Sequence, residues 1–161
     1  MRGEYIVTDA DGNEQVIPNT LVAEGQEKLW HALFNNDDLT DLTFEFGAFA
    51  EVPVYASGYS AQYASEPTIG VGAYARTVQN PTGWTITATG SEVYAESPNQ
   101  VFTATGAAFD KAFDRFFMLV VIEEPAATTT RYLASYSSAL AAAISLLDTQ
   151  SYTIKYRVYL K

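Results

Sequence analysis

Glu66-Pro67-Thr68-Ile69-Gly70-Val71-Gly72-Ala73-Tyr74-Ala75-Arg76, with Trp84 eight residues further on, is the stretch on which the fold is decided. Proline at 67 pushes Glu66 out of the helical region and into an extended entry. Gly70 and Gly72 give the backbone room to turn and to approach a neighbour closely. A strand is then expected over 74–78, a turn at Asn80-Pro81-Thr82-Gly83, and a second strand over 84–89. Turn, strand, turn, strand is the grammar of a small antiparallel module. Arg76, flanked by Tyr74, reads in two ways. It is an internal ion pair or stacked surface arginine, or it anchors an intersubunit contact, where Tyr and Arg are enriched.

Downstream the same grammar continues. Ser97-Pro98-Asn99 is a further break, and 101–105 reads as a strand. Residues 116–122, Phe-Phe-Met-Leu-Val-Val-Ile, are apolar without interruption, so they should form a central strand covered on both faces. Trp84 belongs with that strand in the core. After a Pro/Ala/Thr loop, 131–136 reads as another strand, while the alanine-rich 138–147 fits either a bent strand or a short helix. The last strand alternates: Tyr152, Ile154, Tyr156, Val158 and Leu160 on one face, Thr153, Lys155, Arg157, Tyr159 and Lys161 on the other.

Upstream, Leu42, Phe44, Phe46 and Ala48 alternate with Thr43, Glu45, Gly47 and Phe49, as a strand with one core face would. Pro53 ends it. Residues 55–63, carrying Tyr55, Tyr59 and Tyr63, read as a surface loop. Before them a helix is expected over about 21–35. Val22, Leu29, Trp30, Leu33 and Phe34 share a face, Thr20 serves as N-cap, and Glu24 and Glu27 suit the first turn. The chain opens with a hairpin over 4–17, turned by Asp-Gly. Seven to nine short strands with one N-terminal helix make a mainly β protein: one domain over 1–161, with antiparallel sheets in a β-sandwich or jelly-roll-like form.

Composition bounds the chemistry. In 161 residues, 19 acidic side chains face nine basic ones, and the net charge of −10 argues against binding nucleic acid over an extended face. Without cysteine there are no disulfides or thiolate sites. No signal peptide is read at the start, and the longest apolar run is too short to cross a bilayer, so a protein made in a cytoplasm, with no membrane partner, is expected. Asp9, Asp11 and Asn13 have calcium-loop spacing, but a calcium loop needs glutamate at the position held by Thr20, so a plain turn is expected. His31, the one histidine, has no identifiable partner and reads as a surface or helix-boundary residue. No cofactor, metal or catalytic constellation is therefore expected. Lys155, Arg157 and Lys161 form a basic row that either guards an edge or pairs locally, or else recognises an interface.

The order of motifs resembles small β-sandwich virion structural proteins of tailed bacteriophages. A helix of the form Leu21-Val22-x-x-Gly25-x-x-x-Leu29-x-x-Ala32-Leu33-Phe34 is followed by Ser65-Glu66-Pro67, Gly72-Ala73-Tyr74-Ala75-Arg76 and Trp84. Then come Asn99-x-Val101-Phe102-x-Ala104, Tyr132-Leu133-Ala134-Ser135-Tyr136 and Tyr152-Thr153-Ile154-Lys155-Tyr156-Arg157-Val158. The likeness spans 21–160 and departs at Leu147-Asp148-Thr149-Gln150, where such proteins often carry Gly-Asp. It implies a particle component without catalysis. The first expectation is a capsid decoration or cement protein, homo-oligomeric and trimeric, bound to the major capsid protein or other virion proteins. The alternative is a tail, neck or fibre-base component, including a receptor-binding one. An enzyme such as a glycan hydrolase is the third class, with no carboxylate pair singled out. The residues placed nearest a partner are Tyr55, Tyr59, Tyr63, Tyr74, Arg76, Lys155 and Arg157.

Overall fold

A computed structural model describes residues 2–34, 42–52, 62–124 and 128–160. The chain opens with β1 (Arg2–Thr8) and β2 (Glu14–Leu21), a hairpin longer at both ends than the expected 4–17. Its turn consumes Asp9: the carboxylate accepts the backbone N–H groups of Asp11 and Asn13 at 2.9 Å each, and the Asn13 amide at 3.0 Å. These bonds, Asn13's first, hold the Asp9 carboxyl below its ordinary pKa. The Asp9–Asn13 stretch thus acts as a turn.

β2 changes partner at Pro18. Residues up to Pro18 pair with β1, and Asn19–Leu21 pair with β9 (Thr128–Ser137) instead. Proline has no N–H to continue a ladder, so a change of partner strand is well placed there. The extra pairing also corrects the helix. Leu21 is still a strand residue opposite Ser135, so Thr20 cannot cap, and α1 runs from Ala23 to Phe34. Val22 takes the boundary position, its N–H donating to the Ala134 carbonyl and its own carbonyl accepting from Gln26. Val22 and Leu29 pack inward, but Trp30 is 41% exposed and lies off the apolar stripe assigned to it. The end at residue 35 and the His31, Leu33 and Phe34 side chains lie outside the described residues.

The other strands are β3 (Leu42–Phe49), β4 (Thr77–Gln79), β5 (Thr85–Thr89), β6 (Glu92–Glu96), β7 (Gln100–Thr103), β8 (Arg115–Glu124) and β10 (Ser151–Leu160). All pairings are antiparallel, in the order β4-β3-β8-β9-β2-β1-β10-β6-β5, with β7 also on β10. The protein is therefore mainly β, a single curled sheet with one α-helix among the described residues, and its ten described strands exceed the seven to nine expected. The two ends of the sheet, β4 and β5, are consecutive in the chain and joined only by residues 80–84. Curling has brought the edges to the two sides of one short turn.

β8 is central, between β3 and β9, as its apolar run requires. Phe116, Met118 and Val120 join one cluster with Tyr5, Phe46, Phe102 and Ile154 inside the curl. Phe117, Leu119 and Val121 join a second on the opposite face, with Phe49, Tyr63 and Leu133. That second layer corrects the reading of β3 as one-faced. Phe49 and Glu45 are buried too, and Phe117 lies flat over Gly47, its register partner, where any side chain would strike the ring.

Four further expectations change. The strand over 74–78 shrinks to β4, because Gly70 and Gly72 (φ 90° and 60°) and Ala73 (φ 61°) wind Val71–Ala73 into a 3-10 turn. β6 was not foreseen; Gly90 (φ 59°) and Ser91 link it to β5 as a two-residue hairpin. Residues 138–147 form neither strand nor helix: one bridge, Phe113 to Ile144, ties them down, and Leu140 and Leu146 are buried. Trp84, expected in the core, is half-buried against Phe44 with ring centroids 5.0 Å apart.

Candidate functional site

The densest polar chemistry lies under the second cluster, where the 62–76 segment crosses β3 and β9. Glu66, fully buried, uses both carboxylate oxygens. Oε1 accepts from Arg76 Nε at 2.9 Å and the Tyr74 hydroxyl at 2.8 Å; Oε2 accepts from Arg76 Nη2 at 2.8 Å and the Tyr63 N–H at 3.1 Å. Arg76 reaches on to Glu45, its Nη1 lying 3.2 Å from Oε2. Glu45 in turn holds Arg131 of β9, with Arg131 Nε 2.9 Å from both of its oxygens and Nη2 2.8 Å from Oε1. Two guanidinium and two carboxylate groups thus form one chain of neutral total charge. The Arg76 guanidinium also stands 5.3 Å from the Phe117 ring centroid and 5.5 Å from that of Tyr63.

The local sequence explains this placement. Proline after Glu66 keeps that residue extended, so its side chain turns inward under Tyr63. Lys111 then braces the bend, its Nζ donating to the carbonyls of Ala64 and Glu66. Burial pushes the Glu45 carboxyl up, but hydrogen bonds and charge from Arg131 and Arg76 outweigh it and leave the pKa below the ordinary value. Burial works against the charge on Arg76 as well, and Glu66 and Glu45 more than restore it. For Tyr74, burial and the Glu66 charge act together to raise the pKa well above the ordinary value, so the phenol keeps its proton and donates it to Glu66. The cluster is built to hold its charges still, and it staples β3, β9 and the 62–76 segment together.

The residues expected at a partner surface separate into three groups. Burial takes Tyr63, Tyr74 and Arg76 off the surface: Tyr63 sits edge-on between Phe49 and Phe117, Tyr74 packs on Phe102 and Phe109, and the Arg76 side chain is 8% exposed. Lys155 and Arg157 are partly exposed, but β10 is no edge strand. Arg157 binds Glu96 of β6 through Nε (3.0 Å) and Nη2 (2.6 Å) and Glu4 of β1 through Nη1 (3.1 Å), and stacks 4.6 Å over Tyr94. Lys155 lies 3.7 Å from Glu96. Lys155 and Arg157 are thus neutralised locally by the strands on either side, while Lys161 lies outside the described residues. Tyr55 and Tyr59 lie outside the described residues.

Sequence reading missed Glu45 and Glu66. The signal for Glu45 was its place between Phe44 and Phe46 in a strand otherwise free of charge; an acid there needs a cation. What sequence did not suggest is the exposed apolar edge. On β5, Ile86 is 75% exposed, and Val78 of β4 and Val101 of β7 are also largely uncovered. Among the described residues, no group of three His, Asp or Glu side chains is placed to hold a metal ion, and no helix is long and apolar enough to cross a membrane. No family model, curated protein or solved structure matches this chain.

Proposed function

We propose that this protein is a structural subunit that works by binding other proteins, and that it belongs to the particle of a tailed bacteriophage as a capsid decoration or cement protein. One observation carries the partner-binding reading. β5 ends the sheet among the described strands, so one of its backbone edges is open, and the strand is rich in threonine with Ile86 exposed. Such an edge takes another strand through main-chain hydrogen bonds. The strongest charges, by contrast, are spent inside on Glu45, Glu66, Arg76 and Arg131. The particle reading rests on the resemblance of motifs over 21–160, and with it go the virion location, the homo-oligomer (a trimer) and the major capsid protein as partner. In this reading the two halves of the curl, facing each other across the core, are the layers of a flattened β-sandwich.

The test places lysine on the open edge. Ile86→Lys, with an unchanged thermal midpoint, is expected to abolish incorporation into purified particles. Normal incorporation would remove β5 from the interface, and a protein present in infected cells but never in particles would end the virion reading. Copy number then separates a decoration protein, present in proportion to the capsid lattice, from a tail, neck or fibre-base component present in a few copies.

A further inference from the structure

Natural sheets blunt their edge strands with lysine, proline, a bulge or brevity. β4, at one end of this sheet, is three residues long. β5, at the other, runs for five, Thr85-Ile86-Thr87-Ala88-Thr89, with no charge, proline or bulge. Among the described strands only β6 pairs with it, and every residue but Thr87 is exposed. The hairpin fixes which backbone groups are free. Gly90-Ser91 is a two-residue turn, so Thr89 and Glu92 form a hydrogen-bonded pair, and alternation makes Thr87–Tyr94 and Thr85–Glu96 the same. The N–H and C=O groups of Ile86 and Ala88 therefore point to the open side. Their side chains share a face with their partners Ala95 and Val93, and on it Ile86 is 75% exposed.

We propose that a second copy of this chain occupies this edge, its own β5 lying antiparallel about a two-fold axis through Thr87. The inference rests on the reading of β5 as an interface strand and names the partner. Two features select a copy. The first is the symmetry of the strand: reversed, Thr-Ile-Thr-Ala-Thr becomes Thr-Ala-Thr-Ile-Thr. In this register threonine always meets threonine, and Ile86 meets Ala88. Each Ile86–Ala88 pair is hydrogen-bonded, so the free N–H and C=O groups of both residues are satisfied in both copies. Thr87 meets its own counterpart at the closer, non-hydrogen-bonded spacing, where a threonine pair is favourable. The second feature is charge. A copy brings a further net charge of −10, and repulsion is least where the surface is neutral. Residues 77–91 carry no charge, and the nearest carboxylates, on β6, are held: Glu92 by Arg2 at 2.9 Å and Glu96 by Arg157 at 2.6 Å. A basic partner would find no open carboxylate on this strand. One short strand pair buries less than the roughly 1,200 Å² of a stable interface, so the dimer is weak and forms at high local concentration.

Sedimentation of the full chain over a concentration series tests this. A monomer–dimer equilibrium is expected, strengthened by salt that screens the two acidic bodies. Hydrogen exchange in the same series should slow at the Ile86 and Ala88 amides as concentration rises, and stay unchanged at Thr87, whose N–H is bonded to β6 in either state. Thr87→Lys and Thr87→Glu should each lose the dimer with the melting curve retained, because like charges then face each other across the axis. Mixed in equal amounts, the two variants should restore it as a heterodimer. Exchange in the wild type decides the matter if either variant fails to fold. A wild type that is monomeric at every concentration overturns the self-pairing, as does a trimer, which a two-fold contact cannot close, or a mixture of the folded variants that stays monomeric. Failure here is distinct from failure of the particle reading: a monomeric wild type whose Ile86→Lys variant is still excluded from particles gives the β5 edge to a different protein.

Discussion

Arg76→Met tests whether the buried ion chain holds the fold together. The substitution keeps most of the side-chain volume and removes the guanidinium. Glu66 then loses its bonds to Nε and Nη2 and keeps only the Tyr74 hydroxyl and the Tyr63 N–H, while fully buried. Glu45 loses one cation but retains Arg131. An uncompensated carboxylate in such a place costs about 3–5 kcal/mol. With a urea m-value near 2 kcal/mol/M for a chain of this size, the midpoint should fall by about 2 M at pH 7. The thermal midpoint should fall by about 10 °C. The double variant Glu66→Leu/Arg76→Met removes both charges and leaves Glu45 to Arg131, so it should recover most of the loss, because well-packed apolar groups can replace a buried pair at little cost. Urea denaturation followed by circular dichroism measures the wild type, Arg76→Met, Glu66→Leu and the double variant. A loss below about 1 kcal/mol for Arg76→Met, or a double variant as unstable as the sum of its singles, would refute the argument.

Three other outcomes are expected. The Glu45 carboxyl titrates lower when folded than when unfolded, so its contribution is complete above the ordinary value of 4.5 and disappears as pH falls through the lower folded value; acid titration should show a shallower decline for Glu45→Gln, and parallel curves would disprove this. Gly25→Ala adds a methyl 2.6 Å from the Leu133 carbonyl oxygen, and despite better helix propensity it should cost about 1–3 kcal/mol, seen as a lower melting temperature; a rise would mean that α1 is not seated on β9. The Tyr5 hydroxyl and Ser135 Oγ, 2.8 Å apart and buried, bridge β1 to β9 across β2; a double-mutant cycle with Tyr5→Phe and Ser135→Ala should give a coupling of about 1 kcal/mol, and zero coupling would remove the bridge.

What sequence reveals here divides by the range of the interaction. β8 was legible because an unbroken apolar run has few ways to be satisfied, and β10 because strict alternation leaves one register. The Asp9 turn was legible for the same local reason. Most of the corrections come from distant partners. Nothing near Leu21 says that Ser135 will claim its backbone and delay the helix. Nothing near Tyr63 or Tyr74 says that Phe117, Phe102 and Phe109 will cover them, and the reading of 55–63 as a surface loop pointed Tyr63 outward. The 3-10 turn before Tyr74 needs Ala73 at positive φ, a conformation that an alanine does not announce. β6 is a different case: a Gly-Ser pair between two alternating runs is a local hairpin signal, and it was there to be read.

The pairing of β1 with β10 sets an order of events for synthesis. Tyr5 faces Tyr156 across that seam, so β1, already paired with β2 on its other side, finds this partner only after the other described strands have been made. Closing so long a loop is entropically costly and belongs late in folding, after the β8–β9 and β3–β8 ladders have formed. Until then β1 offers a bare backbone edge next to Tyr5 and Val7, which are buried in the finished fold. The nascent chain therefore passes through a stage that is sticky along β1, during which a chaperone or a second nascent copy competes with β10 for the same row of hydrogen bonds.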